Sequence, residues 1–397
     1  MVPVHPPFVD HHCHSLTPGW MAAAAEPPAG GRADLPRRGS GPAWRRCFTE
    51  ARRPESLARD VPGLLGYSRF LAALARRLAV DPLPTDGLEA RVAAARDAAA
   101  AADPAAYLRG LWDDGGLAAL LVDTGLDAGA LPTADLARIG GRPVHEVVRV
   151  ESVVEDVLGS GGRARRTLGG FVEAVEARLH HALDAGAVAL KSIAAYRFGL
   201  ALPEHSTAQR RRAFRALGGD QARRFDDRVL GPFLVRRVAA LAAARGVPLQ
   251  LHTGFGDEDL DLAAADPALL RPLFRDPRTE GCKVVLLHCH PFVRHGAYLA
   301  GTYPQVHLDL SLAIPLAEPT AELLVTEALG LCPVTKLLAA SDGHSYPEMH
   351  WWGATVWRRA LGRVLDAEVA AGTLDQPAAT AAARDVLAGN ATRLYRL

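Results

Sequence analysis

Short apolar runs alternate along the chain with amphipathic stretches of helical length. Helical spacing is clear over residues 171–186, 233–246 and 321–330, and all three stretches end in glycine, as helix carboxyl termini often do. The apolar runs lie at residues 6–12, 117–125, 144–152, 187–193, 247–254, 283–290, 305–312 and 336–343. This alternation predicts βα units around a parallel sheet.

Eight such runs in one chain of 397 residues match the strand count of a TIM-type barrel. A doubly wound open sheet is the competing architecture, but it usually carries a glycine-rich phosphate turn after its first strand, and none is found here. We therefore predict an α/β fold, a TIM-type (β/α)8 barrel that forms a single domain over residues 1–397.

One segment interrupts the alternation between the first two runs. Residues 15–115 are several times longer than a usual βα loop. Residues 19–44 are rich in proline, glycine and arginine and are expected to be irregular, whereas residues 55–78 and 88–103 have helical spacing. We predict a helical insertion after strand 1 that lies over the catalytic face, with a flexible surface excursion as the alternative.

Composition narrows the class of protein. The formal net charge is +1, which provides no electrostatic attraction for nucleic acid or an anionic membrane. We expect neither a membrane span nor a cleavable signal, and hence a soluble cytoplasmic protein. The five cysteines lack C-x-x-C spacing and are expected to be small buried residues. The oligomeric state, including a homo-oligomer, is left open.

Polar residues recur at one end of the apolar runs. At the end of the first run, His12 and His14 are two residues apart, so they share one face of a strand. The same end of later runs carries Lys191, His252, His288 and Asp342. Strand ends converge at one mouth of a parallel barrel, and imidazole nitrogens with carboxylate oxygens are typical metal ligands. The pattern therefore predicts a divalent-metal site.

This set of residues resembles that of the amidohydrolase superfamily of metal-dependent hydrolases. The stretches LKSIAAYR, LQLHTGFGD, LLHCHPFVR, YPQVHLDLSLAIP, ASDGHSYPE and GNATRLY are similar to the amidohydrolase-related branch that also occurs fused to glutamine-synthetase-like domains. The resemblance covers strand 1 and residues 145–397. The insertion carries no motif that belongs to it.

The resemblance implies a metal site made by His12, His14, Lys191, His252, His288 and Asp342, which would hold one or two ions. Zinc is the first expectation, with manganese or iron as alternatives. Lys191 stands where binuclear members carry a carbamylated lysine, and modification is needed because an ammonium group has no lone pair. A charged Lys191 that binds a substrate carboxylate at a mononuclear site, or a buried structural lysine, are the alternatives.

The implied chemistry uses a hydroxide activated by the metal. Asp342 would act as general base and then as general acid, and His288 or a second metal would polarise the scissile carbonyl group. Asp342 could otherwise cap the helix that follows it. Tyr196, Arg197, Arg294 and His344 are candidate substrate-binding residues, although each is also compatible with a solvated loop position.

We therefore expect an enzyme that hydrolyses a C–N bond, of the amide or γ-glutamyl type, in a small anionic substrate. A metal-dependent non-oxidative decarboxylase, with one metal and no carbamate, is the main alternative. Isomerisation of sugar acids is a weaker one. A barrel that binds a metal or ligand without turnover is disfavoured because Asp342, which serves proton transfer, accompanies all of the other predicted ligands.

Overall fold

The computed structural model describes residues 6–21, 43–127, 129–160, 167–217 and 224–397. Eight strands form one sheet in chain order, and their paired neighbours run parallel. They are β1 Phe8–Cys13, β2 Leu117–Asp123, β3 Val144–Arg149, β4 Ala189–Ser192, β5 Leu249–Thr253, β6 Val284–His288, β7 Val306–Asp309 and β8 Leu337–Leu338. The predicted (β/α)8 fold class is confirmed.

The α-helices follow or separate the strands. They are α1 Leu65–Arg77, α2 Leu88–Ala102, α3 Pro104–Gly115, α4 Thr133–Gly140, α5 Val150–Ser160, α6 Leu168–Asp184, α7 Ala194–Arg197, α8 Thr207–Ala216, α9 Leu230–Arg245, α10 Arg271–Phe274, α11 Val293–Thr302, α12 Ala313–Leu316, α13 Ala321–Leu329, α14 Pro347–Ala370, α15 Gln376–Arg384 and α16 Asn390–Tyr395. A short 3-10 helix, Ala43–Phe48, precedes α1.

The strands form where the sequence has continuous apolar runs. Every residue of β5 and of β6 is buried, as expected for parallel strands that are covered on both faces. In their register His252 pairs with Leu287 and Thr253 with His288. This pairing brings the polar carboxyl ends of the two strands to the same level.

The described part of the chain between β1 and β2 contains α1, α2 and α3, and α1 and α2 correspond to the helical spacing predicted at residues 55–78 and 88–103. Asp103 caps α3 by accepting a hydrogen bond from the Ala106 N–H at 2.9 Å. Most of the stretch predicted to be irregular, residues 22–42, lies outside the described residues.

The chain divides into two compact units. The first comprises Met1–Val144, Ser311–Val325 and Ala339–Ala388, and the second comprises His145–Leu310, Thr326–Leu338 and Gly389–Leu397. The first unit buries all six tryptophans, and those in the sequence WWGATVW pack in the core. All five cysteines are buried thiols. Among the described helices, none combines the length and apolarity that crossing a bilayer would require.

Candidate metal centre

In the first unit, the loop after β8 is hydrogen-bonded along the carboxyl end of β1. The Asp342 N–H donates to the His12 carbonyl at 3.0 Å, and the His14 N–H donates to the Gly343 carbonyl at 2.8 Å. Further along, the Ser345 N–H donates to the Ser15 carbonyl at 3.2 Å. These backbone bonds bring together residues that are about 330 positions apart in the chain.

The result is a compact group of three side chains, His12, His14 and Asp342. Asp342 Oδ1 lies 3.1 Å from His12 Nε2 and 3.4 Å from His14 Nε2. Both histidines are buried. Asp342 has a φ of +52°, a left-handed conformation that aspartate tolerates better than most residues and that often marks functional sites.

Neighbouring groups fix this arrangement. The Asp10 carboxylate accepts hydrogen bonds from the Ser341 N–H at 2.9 Å and the Ser341 hydroxyl at 2.5 Å, which holds the residue before Asp342. His14 Nδ1 lies 3.0 Å from the Asp123 carbonyl oxygen. A carbonyl can only accept, so Nδ1 donates to it, and Nε2 is the ring nitrogen that faces Asp342.

His350, on α14, supports the same loop and was not singled out from the sequence. Its Nε2 donates to the carbonyl oxygens of His14, at 2.9 Å, and Gly343, at 3.1 Å. Burial lowers the pKa of His350 to about 4, so the imidazole is neutral at pH 7. Only the fold reveals this role, since a histidine within a helical apolar stretch carries no specific sequence signal.

The predicted substrate-binding residue His344 lies on this loop and is half-buried. Its Nδ1 is 3.0 Å from the Ser345 hydroxyl and 4.0 Å from the Cys47 thiol of the insertion. Burial lowers the pKa of His344 to about 4. The alternative in which Asp342 caps a helix is wrong, because α14 begins at Pro347 and its cap position, Tyr346, makes no side-chain capping bond.

The second unit brings His252 and His288 together at the ends of β5 and β6. Their ring centroids are 4.6 Å apart. His252 Nε2 lies 3.1 Å from the Phe255 carbonyl oxygen. The backbone N–H of His288 donates to Asp309 Oδ1 at 3.2 Å. His288 has a φ of +68°, so a second predicted ligand also lies in the left-handed region.

Lys191 is 2% exposed at the end of β4. The next residue, Ser192, donates its hydroxyl hydrogen to Glu151 Oε1 at 2.6 Å and accepts a bond from the Ala194 N–H at 3.1 Å. Burial raises the pKa of Glu151. Arg149, at the end of β3, is in register with Lys191 and was not among the predicted site residues. Register partners share a face of the sheet, so two cationic residues stand side by side there.

The remaining predicted substrate-binding residues differ in their surroundings. The Tyr196 ring centroid is 4.5 Å from that of His252, so this residue lies beside a predicted ligand. Arg197 Nη1 forms an ion pair with Glu155 Oε1 at 3.0 Å. The Arg294 side chain on α11 is 77% exposed and pairs with Glu327 at 2.7 Å. The structure therefore gives Arg294 an exposed surface partner, whereas Tyr196 and Arg197 are more enclosed.

The donor chemistry fits a divalent cation. In the first unit two imidazole nitrogens meet one carboxylate oxygen, and in the second unit two further imidazoles lie in contact. Zinc-class cations bind such mixed nitrogen and oxygen sets, usually with neutral histidines whose other nitrogen is held by a carbonyl or carboxylate. His14 has this second partner in the Asp123 carbonyl.

Comparisons with known proteins agree with this chemistry. Residues 9–397 match the model of the amidohydrolase family. Protein fluG of Emericella nidulans is 36% identical over 228 residues, a match that covers 54% of this chain and 26% of fluG. The matched part therefore spans about a quarter of that curated relative.

Solved structures share the fold over nearly the whole chain. A candidate metal-dependent hydrolase from Lactobacillus casei ATCC 334 is 28% identical with a TM-score of 0.82, and the match covers 98% of this chain and 95% of that one. Uronate isomerase from Thermotoga maritima is 15% identical with a TM-score of 0.68, over 99% of this chain and 95% of the isomerase. At that identity the likeness to the isomerase establishes the fold alone.

Proposed function

Because this chain belongs to the amidohydrolase family, we propose that it is a metal-dependent hydrolase that cleaves an amide or γ-glutamyl-type C–N bond in a small anionic substrate. The observation that carries the proposal is the position of Asp342, whose Oδ1 lies against Nε2 of both His12 and His14. At this position the same carboxylate can both bind a cation and exchange a proton.

In this proposal six residues hold one or two divalent ions, with zinc as the first expectation and Lys191 carbamylated if there are two. They are His12, His14, Lys191, His252, His288 and Asp342. Support comes from their places at or just beyond the carboxyl ends of β1, β4, β5, β6 and β8, where (β/α)8 enzymes carry their active residues. When bound, such a cation supplies Lewis-acid chemistry that polarises a carbonyl group and acidifies water.

The side chains supply the proton transfers. Asp342 accepts a proton from the attacking water and then delivers it to the leaving nitrogen, so the carboxylate is regenerated as the C–N bond breaks and the new C–O bond is complete. His288 polarises the scissile carbonyl group. Tyr196, Arg197, Arg294 and His344 remain the candidate contacts for the rest of the substrate.

A second candidate, non-oxidative decarboxylation, is supported by Arg149 and Lys191. The two residues are in register on adjacent strands, and Lys191 is buried. An uncarbamylated, charged Lys191 together with Arg149 would suit a substrate carboxylate at a site with a single metal. Metal analysis and intact-protein mass spectrometry distinguish the candidates. Two ions and a carbon dioxide adduct on Lys191 favour hydrolysis, whereas one ion and unmodified lysine favour decarboxylation.

The test of hydrolysis is a screen of dipeptides, N-acyl amino acids and γ-glutamyl compounds with zinc- and manganese-loaded protein. We expect Asp342→Asn and His252→Ala both to abolish turnover, with Asp342→Asn retaining more metal because an amide oxygen can still coordinate. Asp135→Asn, in an exposed ion pair with Arg138, is the control and should keep full activity. An Asp342→Asn variant with unchanged turnover would refute the proton-transfer role. The cytoplasmic location remains a prediction, and the oligomeric state remains open.

A further inference from the structure

The insertion between β1 and β2 contains a 3-10 helix, Ala43–Phe48, that is held by aromatic packing. Trp44 and Phe48 are buried. Their ring centroids lie 5.9 Å and 4.9 Å from the ring centroid of Phe70 on α1. The indole N–H of Trp44 donates to the Tyr67 hydroxyl at 2.8 Å. Phe70 in turn packs edge-on against Trp352 of α14 at 5.7 Å. Because these rings are buried and pack against one another, they hold the short helix in position in the first unit.

The two arginines of this helix have different partners. Arg45 is bound to the Glu89 carboxylate, with Nε at 2.6 Å from Oε1. Arg46 is half-buried and donates one hydrogen bond, from Nη1 to the Ala51 carbonyl at 3.0 Å. Within the part of the chain that the structure describes, Arg46 forms no ion pair. A partly desolvated guanidinium without a carboxylate is costly, and it is a natural receptor for an anion.

The position of Arg46 relates it to the loop that carries Asp342. The next residue, Cys47, has its thiol 4.0 Å from His344 Nδ1, and His344 is two residues after Asp342. The positive charge of Arg46 is among the causes that lower the pKa of His344 and also acts on the Cys47 thiol. The guanidinium is therefore within electrostatic reach of His344, on the loop that also carries Asp342.

We propose that Arg46 is a substrate-binding residue, through which the insertion recognises a carboxylate group of the substrate. The proposal rests on the proposed function, and it narrows the substrate to a compound with a carboxylate on the side of the site that faces the insertion. Arg294 differs from Arg46 because its exposed guanidinium already forms an ion pair with Glu327.

The test compares Arg46→Gln with Arg59→Gln, a control that removes an exposed arginine from the same insertion. Calorimetry of the zinc-loaded full chain measures the binding of glutarate and of its uncharged diamide, glutaramide. We expect Arg46→Gln to weaken glutarate binding by about 10- to 100-fold, the worth of charge-assisted hydrogen bonds, and to leave zinc content and melting temperature unchanged. Arg46→Lys should recover part of the loss, since a lysine keeps the charge without the paired donors.

Three results would overturn the proposal. One is equal glutarate affinity in Arg46→Gln and wild type, and another is a wild-type protein that does not prefer glutarate to glutaramide. The third is a loss of zinc or of melting temperature in Arg46→Gln, which would assign the residue a structural role. A different result would contradict the hydrolase proposal instead. In that result glutarate binding depends on Arg46, but none of the screened compounds is turned over.

Discussion

Asp342 and His288 have left-handed backbone conformations, with φ values of +52° and +68°. A residue with a side chain is strained there, at a cost of about 1 to 3 kcal/mol, and such strain tends to persist where the surrounding structure imposes it. At Asp342 the imposing contacts are the backbone bond to His12 and the Asp10–Ser341 bonds. The strained backbone directs the carboxylate back towards His12 and His14, which a continued strand would not do.

Asp276 provides a pH-dependent prediction. Its carboxylate accepts hydrogen bonds from Arg278 Nε at 2.8 Å and from Arg236 Nη1 at 2.8 Å, and the Arg278 bond is the main reason why the pKa of Asp276 is lowered to about 2. Because the folded-state pKa is below the unfolded value, the stabilisation is complete above about pH 4 and is lost as the pH falls towards 2.

We therefore expect Asp276→Asn to lower the free energy of unfolding by about 1 to 2 kcal/mol at pH 7. The difference from wild type should shrink steadily in urea titrations between about pH 4 and pH 2. Asp135→Asn, which breaks an exposed pair, should change stability by less than about 1 kcal/mol. A difference for Asp276→Asn that does not change with pH would contradict the assignment.

At the scale of elements, the helices of the insertion are joined to α14 by a buried polar network. Arg96 on α2 donates from Nε to Glu348 Oε1 at 2.6 Å, and the Tyr107 hydroxyl of α3 donates to the same oxygen at 2.8 Å. Arg96 also donates from Nη2 to the Trp20 carbonyl at 2.5 Å. Buried polar groups stabilise a unique arrangement only when they are partnered, so this network orients the insertion relative to the helix that follows Asp342.

The end of β5 depends on a glycine. Gly254 has a φ of +76°, and a Cβ there would collide with the carbonyl oxygen of His290 and lie 2.9 Å from the carbonyl carbon of Cys289. The glycine therefore permits the chain after β5 to approach the chain after β6 closely. His252 and His288 are at the ends of these two strands.

We predict that Gly254→Ala lowers the free energy of unfolding by about 3 kcal/mol or more and weakens zinc binding, because positive-φ strain is added to a backbone collision. Gly372→Ala is the matched control. Its φ is +74° but its surroundings are open, so it should cost only about 1 to 2 kcal/mol, with zinc affinity unchanged. Chemical denaturation and calorimetric zinc titration measure both effects. Normal zinc affinity in Gly254→Ala would show that the strand ends do not depend on this contact.

At the scale of the whole molecule, the fold does not determine which reaction is catalysed. The family match covers residues 9–397, yet proteins of the same fold at 13 to 16% identity are uronate or glucuronate isomerases. A (β/α)8 barrel supports many chemistries because its catalytic residues lie at strand ends and in loops. We therefore expect the choice between reactions to depend on side chains such as Asp342, Lys191 and Arg46.

Metal binding should be visible in the stability of the entire protein. A ligand that binds only the folded state at 100 times its Kd stabilises it by about 2.7 kcal/mol. We expect zinc to raise the melting temperature of the metal-free chain by a few degrees and a chelator to reverse the change. His12→Ala should respond much less. A chelator that leaves the wild-type melting temperature unchanged, with metal removal verified by elemental analysis, would contradict a metal bound by folded residues.

Much of the fold could be read from local patterns. Each of the eight apolar runs contains or overlaps an observed strand, because burial on both faces demands continuous apolar sequence. The boundaries were less accurate at the last run, where residues 336–343 contain only Leu337–Leu338 as strand. Beyond these two residues the chain leaves the sheet and turns to bond with β1, and such bonds to a distant segment have no local signal.

The sequence by itself determined the order and type of the elements and the kinds of side chain at the strand ends, since these depend on periodicity and residue chemistry over short distances. The tertiary structure decided which of those side chains meet and in what geometry. His344 and Cys47 are 297 residues apart, and Arg96 and Glu348 are 252 apart. Contacts of this kind, and the left-handed backbone at Asp342, arise from packing between remote segments, which no local pattern encodes.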